Sequence, residues 1–371
     1  MIDSANSQIE GSLLPLDSDL PIEGGDSLAV LKRRWAVYTH GSLKQRCSEL
    51  QSYEYLIADL IPKRSLSILV GDSGLGKSPL LYLAALCVAE GIPFLGKPVS
   101  RGRVLYIDFE NGLGDVDELV SQLSRFLGLS QVSERLLLFN FNDAPPNWKP
   151  SDLEDMVASF RPDWIIIDPI AAYAPEIDTQ NDCVTRVYQT LRRIQKNYSA
   201  TVTIVHHPRK PSNQPGAPTS NLEEDARAWL QQARGPRQLI NGADIRIGID
   251  KCRRTDSITE SHGRTVEVAL VLAGFGRLRG NIEPMYLGRI LGEDDKPMGY
   301  EQLRGASLLF NSDRQSAFES LPEMFTFKQA KQTYGRGSQA TSDFLSKCQS
   351  VGILRKEGRQ YKKVHVADSA D

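Results

Sequence analysis

A glycine-rich octapeptide is the segment of this sequence whose residue types and spacing most clearly suit a chemical task. It matches the pattern G-x-x-x-x-G-K-[ST] and consists of Gly71, Asp72, Ser73, Gly74, Leu75, Gly76, Lys77 and Ser78. Its glycines let backbone N–H groups turn inward around phosphates, its lysine can reach the β- and γ-phosphates, and its serine can bind Mg²⁺. We therefore predict that all eight residues bind ATP with Mg²⁺, and that Lys77 also serves catalysis.

Asp168 is the second candidate residue, because it ends the apolar run of residues 164–167. An aspartate at the end of a buried strand, about 90 residues after a phosphate loop, is expected to hold Mg²⁺ together with Ser78. The alternative is a solvated aspartate at a strand end.

Hydrolysis also needs a group that orients the attacking water. Pro169 follows Asp168, so the position directly after that aspartate cannot supply it, and Glu110 at the end of another apolar run becomes the candidate base. Asp108 is less favoured, because strand alternation points it to the same side but deeper. A surface glutamate in a turn is the alternative for Glu110.

Two adjacent histidines, His206 and His207, follow the apolar residues 201–205. A polar residue at a strand end beside the γ-phosphate can detect that phosphate and move the loop after it. Core packing and a metal site remain alternatives, although neither a cysteine nor an acid lies nearby in the sequence.

The elements that must position these residues are strands alternating with helical patterns from residue 65 to about 291, which indicates βαβ units. We predict an α/β fold with a mostly parallel, twisted sheet flanked by helices, within a domain at residues 29–300. Residues 1–28, rich in Ser, Asp, Gly and Pro, are predicted to be a flexible arm. The predicted strands are 65–70, 104–109, 136–140, 164–168, 201–206, 243–249 and 265–273.

The last part of the chain, residues 301–371, is predicted to form a small winged-helix-like α+β domain. Its pattern indicates helices at 313–321, 326–333 and 338–351, then two short strands around a Glu-Gly turn. Residues 313–365 carry ten Lys or Arg against five Asp or Glu. Duplex DNA is the favoured partner. Protein docking and a structural lid remain open. The candidate nucleic-acid-binding residues here are Arg355, Lys356, Arg359, Lys362 and Lys363.

Composition limits the remaining function classes. The chain is 40% hydrophobic and 24% charged, with a formal net charge of -2, which argues against a uniformly basic coat for nucleic acid. Its five cysteines form no C-x-x-C pair and indicate reduced thiols. No apolar stretch approaches about 18 residues and the N-terminus is polar and acidic, so we expect a cytoplasmic protein.

The motifs in this order resemble those of RecA-like ATPases, specifically the RepA-type hexameric replicative helicases, which are related to DnaB-type helicases. The resemblance rests on the glycine loop and on three further segments, Asp-Phe-Glu-Asn at 108–111, Ile-Ile-Asp-Pro-Ile at 166–170 and Val-His-His-Pro-Arg-Lys at 205–210. It covers roughly residues 50–290 and implies a homo-oligomer, a hexamer in this family, with ATP bound between subunits.

The resemblance also implies a cation that reaches the ATP from the neighbouring subunit. Residues 243–251 look like the family strand that ends in this cation. Lys251 is the first choice by position, with Arg253 and Arg254 as competitors, and a solvated run of charges is the alternative.

In the family, the loops matching residues 172–182 and 208–221 face a central channel, so Arg209 and Lys210 are candidates for binding single-stranded DNA. The implied function is an ATP-hydrolysing ring that translocates on or unwinds DNA, as in replication. The alternative is a non-motor, ATP-dependent switch or recombination ATPase that acts through assembly and a protein partner.

Overall fold

The computed structural model describes residues 36, 38–49, 54–209, 221–252, 258–261, 264–277, 280–291, 297–309 and 312–364. Contacts divide the chain into two compact units, residues 1–52 and 53–371. In the first unit the described helix is α1 (His40–Glu49), and the hydroxyls of Thr39 and Ser42 each accept a bond from the other residue's N–H at its start. Such reciprocal bonds satisfy backbone donors that have no partner within the helix.

The second unit begins with a small pair of antiparallel strands and continues into the half of a large sheet that carries the glycine loop. Helices separate most of the strands of this half, as βαβ units require. The elements are β1 (Tyr55–Ile57), β2 (Ile61–Pro62), β3 (Leu66–Val70), α2 (Lys77–Glu90), β4 (Val104–Asp108), α3 (Leu113–Phe126), β5 (Leu136–Asn140), α4 (Leu153–Phe160), β6 (Trp164–Asp168), α5 (Ile170–Tyr173), α6 (Asn181–Tyr198), β7 (Thr201–His206), α7 (Ala226–Leu230), α8 (Arg237–Gly242) and β8 (Ile245–Lys251).

The parallel strands lie in the order β5-β4-β6-β7-β3-β8. Every residue of β3, β4, β6 and β7 is buried, because both faces of this half are covered by other elements. Alternate residues of β6 enter two different hydrophobic clusters, Trp164 and Ile166 on one face and Ile165 and Ile167 on the other. The carboxyl ends of the strands meet at one edge of the sheet, where the predicted site residues cluster.

An antiparallel extension continues the sheet beyond β8, which corrects the expectation of a mostly parallel sheet to a mixed one. It consists of β9 (Ile258–Ser261), β10 (Arg264–Gly276), β11 (Asn281–Leu291) and β12 (Pro297–Gln302), in the order β8-β10-β11-β12 with β9 paired to β10. Strands β9, β11 and β12 were not predicted. Antiparallel neighbours need no crossover helix, so the alternation that identified the parallel strands ends here.

The helix that follows the glycine loop, α2, is enclosed by other elements. Eleven of its fourteen residues are buried. It begins after Gly76 and ends at Gly91, both with a left-handed backbone at φ 86° and 77°. Its apolar residues belong to the cluster that also contains Tyr300 of β12 and Leu123 of α3. A helix that is apolar all round is expected in such a position.

The last described part of the chain has its own hydrophobic cluster, which includes Phe325, Phe344 and Tyr361. The three predicted helices and the predicted hairpin are present, and a short strand before the second helix joins the hairpin in a sheet ordered β13-β15-β14. These elements are α9 (Ser312–Ser320), β13 (Met324–Thr326), α10 (Phe327–Tyr334), α11 (Ser338–Ser350), β14 (Leu354–Glu357) and β15 (Gln360–Lys363).

Two sequence expectations concern the whole chain. All five cysteines lie among the described residues, and all are free thiols. Within the described ranges, the structure contains no helix that is both long enough and apolar enough to cross a membrane.

Candidate nucleotide site

The glycine loop connects β3 to α2 at the carboxyl edge of the sheet. Gly74 and Gly76 have φ angles of 76° and 86°, which L-residues with a side chain rarely adopt. A Cβ at Gly71 would collide with Ile249 of the neighbouring strand β8. The side chain of Asp72 turns back and accepts a bond from the N–H of Ser73 at 2.8 Å. The backbone conformation therefore favours glycine at positions 74 and 76, and close packing favours it at position 71.

Lys77 lies across the loop rather than extending into solvent. Its side chain is buried, and Nζ donates to the carbonyl oxygen of Asp72 at 2.8 Å and lies 3.4 Å from Nδ1 of His207. Burial lowers the pKa of Lys77, and the nearby charges of Asp168 and Glu110 oppose that shift. The lysine therefore places a cation among acidic groups at the mouth of the loop.

Asp168 and Ser78 are brought together as the metal prediction requires. The hydroxyl of Tyr106 donates to Oδ2 of Asp168 at 2.6 Å, and the Ser78 side chain lies close enough to Asp168 to oppose the rise in its pKa. Burial is the largest influence on this carboxyl and raises the pKa of Asp168 to about 6. A buried carboxylate beside a hydroxyl is an oxygen pair that suits Mg²⁺, which takes one or two protein ligands and completes its shell with phosphates and water. The described residues contain no cluster of three or more His, Cys, Asp or Glu that could hold a metal by themselves.

Asp108 and Glu110 occupy different environments at the end of β4. Oδ1 of Asp108 accepts the N–H groups of Glu110 and Asn111 at 3.0 and 2.9 Å, and Oδ2 accepts from Tyr82 and from the Asn111 side chain. The Glu110 side chain is 55% exposed, and its Oε1 lies 3.9 Å from Nε2 of His207. Asp108 thus shapes the turn that projects Glu110 toward the glycine loop.

The two histidines face opposite sides of β7. His207 is half-buried beside Lys77 and Glu110, whereas His206 is fully buried. The pKa of each is lowered, in both cases mainly by burial. Of the two, His207 is the one placed next to the glycine loop.

His206 instead belongs to a buried polar cluster behind the site. Its Nε2 donates to the carbonyl oxygen of Arg234 at 2.8 Å and lies 3.5 Å from Oδ1 of Asp178. Arg234 in turn forms an ion pair with Asp178, with Nε 3.0 Å from Oδ2. The cluster connects the end of β7 to the loop that follows β6.

Of the two loops predicted to face DNA, the first is described in full and the second only at its ends. The first contains α5 and a short 3-10 turn, Pro175–Asp178, in which Ile177 is buried. Arg209, in the second, is exposed and donates to the carbonyl oxygen of Gly235 at 3.0 Å. Lys210 and most of the second loop lie outside the described residues.

Lys251 is exposed at the end of β8, next to the strand that leads into the glycine loop. Its N–H donates to Oδ1 of Asp250 at 2.7 Å, and Oδ2 of that aspartate accepts from Trp229 at 3.0 Å. Arg253 and Arg254, the competing candidates for the intersubunit cation, lie outside the described residues.

The cationic residues of the C-terminal hairpin are of two kinds. Arg355, Lys356, Arg359 and Lys362 are exposed. Lys363 is half-buried, with Nζ 5.0 Å from the centre of the Phe318 ring and donating to the carbonyl oxygen of Glu319 at 3.2 Å. Four of the five cations are therefore exposed to solvent, and the fifth is used inside the fold.

Three tyrosines support the site and were missed by sequence reasoning. Tyr82 and Tyr106 hold Asp108 and Asp168, and Tyr300 of β12 donates to the carbonyl oxygen of Gly76 at 3.3 Å. Tyr106 lies two residues before Asp108, so alternation placed it on the same face, which was an available signal. Tyr300 gave no signal, because it lies 224 residues from Gly76 in the sequence.

Comparison with protein-family models matches residues 42–213 to a family described as an AAA domain. Among solved structures, the chain is similar to a KaiC-like protein from the hyperthermophilic archaeon Pyrococcus horikoshii, with 12% identity and a TM-score of 0.40 over 68% of this chain and 97% of that one. It is also similar to the RadB recombinase, with 16% identity and a TM-score of 0.41 over 65% and 92% of the two chains. No curated protein matches significantly.

The family match covers the glycine loop, Glu110, Asp168 and the two histidines. In the sheet, one strand (β7) separates the loop strand β3 from the Asp168 strand β6, and β4 with Glu110 lies beyond β6. The residues matched to the AAA domain model therefore carry the glycine loop and the strand-end acids at one edge of the sheet.

Proposed function

We propose that this protein is an ATP-hydrolysing motor that assembles into a ring and translocates on or unwinds DNA. The observation that carries the proposal is the convergence of Lys77, Ser78, Asp168 and Glu110 at one edge of the sheet. This set supplies a phosphate cradle, a pair of oxygen ligands for a metal and a carboxylate for water.

In the proposed mechanism, the backbone of residues 71–76 binds the phosphates, and Lys77 exchanges its bond to Asp72 for the β- and γ-phosphates. Ser78 and Asp168 would hold Mg²⁺, which supplies charge neutralisation on the phosphates. Glu110 accepts a hydrogen bond from the attacking water and orients it toward the γ-phosphorus. Its exposure and its position 3.9 Å from His207 leave it accessible at the mouth of the loop.

His207 is the proposed sensor of the γ-phosphate, because it contacts Lys77 and approaches Glu110. Its neighbour His206 would pass the change to the following loop through the cluster with Asp178 and Arg234. Arg209 and Lys210 are proposed to contact single-stranded DNA in the ring, and Lys251, Arg253 or Arg254 to reach the ATP of the adjacent subunit.

Residues 301–371 are proposed to form a winged-helix-like domain that contacts duplex DNA. The exposed face of α11 carries Gln339, Ser342, Asp343, Ser346 and Gln349, which gives this helix little positive charge. The hairpin of β14 and β15 carries the cations instead. We therefore assign the DNA contact mainly to the hairpin and to the phosphate backbone.

The test uses two substitutions with different expected effects. Lys77→Ala should abolish both ATP binding and turnover, whereas Glu110→Gln should retain binding and lower kcat by about a hundredfold or more, as expected for loss of a water-orienting group. ATP binding by calorimetry and phosphate release measure the two steps. Glu134→Gln, at another exposed glutamate, is the matched control. Normal turnover in Glu110→Gln would refute the assignment of Glu110.

A ring requires more than one copy of the chain. The mass in solution, measured with and without a non-hydrolysable ATP analogue, should correspond to a hexamer when nucleotide is bound. A monomer under both conditions would exclude the intersubunit role of Lys251, Arg253 and Arg254.

A non-motor switch is the second candidate, and the acidic loop after β6 favours it. This loop carries Glu176 and Asp178, and Glu176 lies 3.8 Å from Arg186 in an exposed ion pair. The loop offers no Lys or Arg to a nucleic-acid backbone. A motor should show DNA-stimulated ATPase activity with a steep salt dependence, whereas a switch should be indifferent to DNA.

A further inference from the structure

Two tyrosine rings lie stacked behind the candidate nucleotide site. The centres of the Tyr82 and Tyr106 rings are 3.9 Å apart, and the ring planes differ by 9°. Tyr82 lies on α2, the helix after the glycine loop, and Tyr106 lies on β4, so the stack connects the two elements. Both side chains are fully buried.

The two tyrosine hydroxyls donate hydrogen bonds to different carboxylates. Tyr82 donates to Oδ2 of Asp108 at 2.7 Å, and Tyr106 donates to Oδ2 of Asp168 at 2.6 Å. Burial raises the pKa of both tyrosines far above the usual value, so both hydroxyls keep their protons and act as donors. Two parallel rings thus fix two strand-end carboxylates separately.

The two carboxylates have different further partners. Asp108 also accepts hydrogen bonds from the backbone N–H groups of Glu110 and Asn111 and from the Asn111 side chain. Its carboxylate is therefore held in place even without Tyr82. Asp168 accepts from the hydroxyl of Tyr106, and the Ser78 side chain lies close by. Ser78 is itself a proposed metal ligand, so Tyr106 is the remaining side chain shown to hold Asp168 when Ser78 turns to the metal.

We propose that Tyr106 is a positioning residue for the nucleotide-bound Mg²⁺, since its hydroxyl fixes the orientation of the Asp168 carboxylate; this inference rests on the proposed metal site at Ser78 and Asp168. Groups that orient metal ligands in this way typically contribute about 10- to 100-fold to metal affinity. Tyr82 has the same chemistry and burial but serves the other carboxylate. The stack therefore contains its own matched control.

The experiment compares Tyr106→Phe with Tyr82→Phe. Each removes one buried hydroxyl and keeps the stacked rings. The affinity of a fluorescent ATP analogue is measured in excess EDTA and in excess Mg²⁺, and the ratio of the two affinities is the Mg²⁺-dependent gain. Tyr106→Phe should keep the affinity in EDTA and reduce the gain by roughly tenfold or more. Tyr82→Phe should keep the gain of the wild-type protein.

A merely structural role predicts the same change in both variants, and that result would overturn the proposal. An undiminished gain in Tyr106→Phe alongside a clear gain in the wild type would overturn it while leaving the proposed function intact. The absence of any nucleotide binding in the wild type would overturn both. Thermal melting without nucleotide establishes that the two variants are folded.

If Tyr106→Phe does not fold, 3-fluorotyrosine placed at position 106 or 82 keeps the hydroxyl and reports on it by ¹⁹F NMR. Adding Mg²⁺ to the nucleotide-loaded protein should shift the signal of the label at 106 more than that of the label at 82. Equal shifts at the two positions would refute the role of Tyr106.

Discussion

Asp168 is a carboxyl that the fold buries at some cost before any metal binds. Its pKa is raised from 3.8 to about 6, mainly by burial. The folded protein therefore holds this proton more tightly than the unfolded chain does. The stabilisation from the protonated form is complete below pH 4 and is lost as pH rises through 6.

Asp168→Asn should accordingly stabilise the protein at neutral pH while impairing its chemistry. The expected gain in the free energy of unfolding at pH 7.5 is on the order of 2 to 3 kcal/mol, since one pKa unit corresponds to about 1.4 kcal/mol. The gain should shrink toward pH 4. Urea unfolding of the variant and the wild type at both pH values measures it, with the exposed Asp182→Asn as the control. A gain that does not change with pH would contradict the argument.

The sequence alone located the glycine loop and the strand-end acids, because the loop follows a recognisable pattern and each acid ends an apolar run. It could not locate the partners of those acids. Whether Tyr106 faces Asp168 depends on how β4 and β6 are aligned side by side, and these strands are separated by about 60 residues of chain with no periodic signal. Likewise, the sequence could not show that His206 joins a buried cluster while His207 lies beside the glycine loop. That difference depends on which elements pack on each side of the end of β7.

At the scale of elements, the start of α2 is fixed by two conditions at Gly76. The residue has φ 86°, and a Cβ there would collide with the hydroxyl of Tyr300. Gly74 has a similar φ of 76°, but a Cβ at that position would meet no atom within 4 Å. A substitution at Gly74 therefore tests backbone strain alone, whereas one at Gly76 tests strain together with a steric collision.

Gly76→Ala should lower the free energy of unfolding more than Gly74→Ala does. Backbone strain alone costs about 1 to 3 kcal/mol in each variant, and the collision with Tyr300 adds to it at position 76. Replacing Tyr300 by Phe in the Gly76→Ala background should recover part of the additional loss. Urea unfolding of the wild type and these three variants gives the comparison, and equal losses for the two glycine variants would be inconsistent with contact at Tyr300.

The parallel strands were predictable as elements because burial on both faces requires continuous apolar runs, as in Trp164–Asp168. Strand β11 was not, because Pro284 and Gly288 interrupt a sequence that alternates between polar and apolar residues. Proline and glycine normally argue against a strand. Here the partner strands β10 and β12 on both sides supply the pairing that the local sequence does not favour.

At the scale of the whole molecule, the C-terminal hairpin places like charges against each other. Arg355 and Lys362 are direct cross-strand partners, and both are exposed. Like charges in such positions repel and destabilise a hairpin. A phosphate between them would remove the repulsion, which supports the proposed nucleic-acid contact.

The variant Arg355→Ser/Lys362→Ser should weaken binding to duplex DNA and reduce its salt dependence. Loss of two phosphate contacts lowers the slope of log K against log salt concentration by about 2. Fluorescence anisotropy at several salt concentrations measures this slope. Lys196→Ser, at an exposed lysine on α6, should leave the slope unchanged. An unchanged slope in the double variant would favour a protein partner for this hairpin.

The division into an arm, an ATPase domain and a winged-helix-like domain remains a prediction, as do the ring, its hexameric state and helicase activity. The ring, its size and helicase activity depend on other copies of the chain or on DNA, and a single sequence encodes those contacts only in the composition of its surface. The large mixed sheet and the position of the glycine loop on it, in contrast, are determined within one chain.

The enclosure of α2 has a consequence for how the protein can move during a catalytic cycle. Shifting this helix would expose buried apolar side chains of a large hydrophobic cluster. Residues 206–209 and 232–235 form a rim that is joined, in contrast, by a single bridge between Pro208 and Ala233 and by a few hydrogen bonds. In the proposed motor, α2 would therefore stay fixed, and mechanical work would pass through this rim. Crosslinks that fasten the rim should stop translocation while leaving nucleotide binding unchanged.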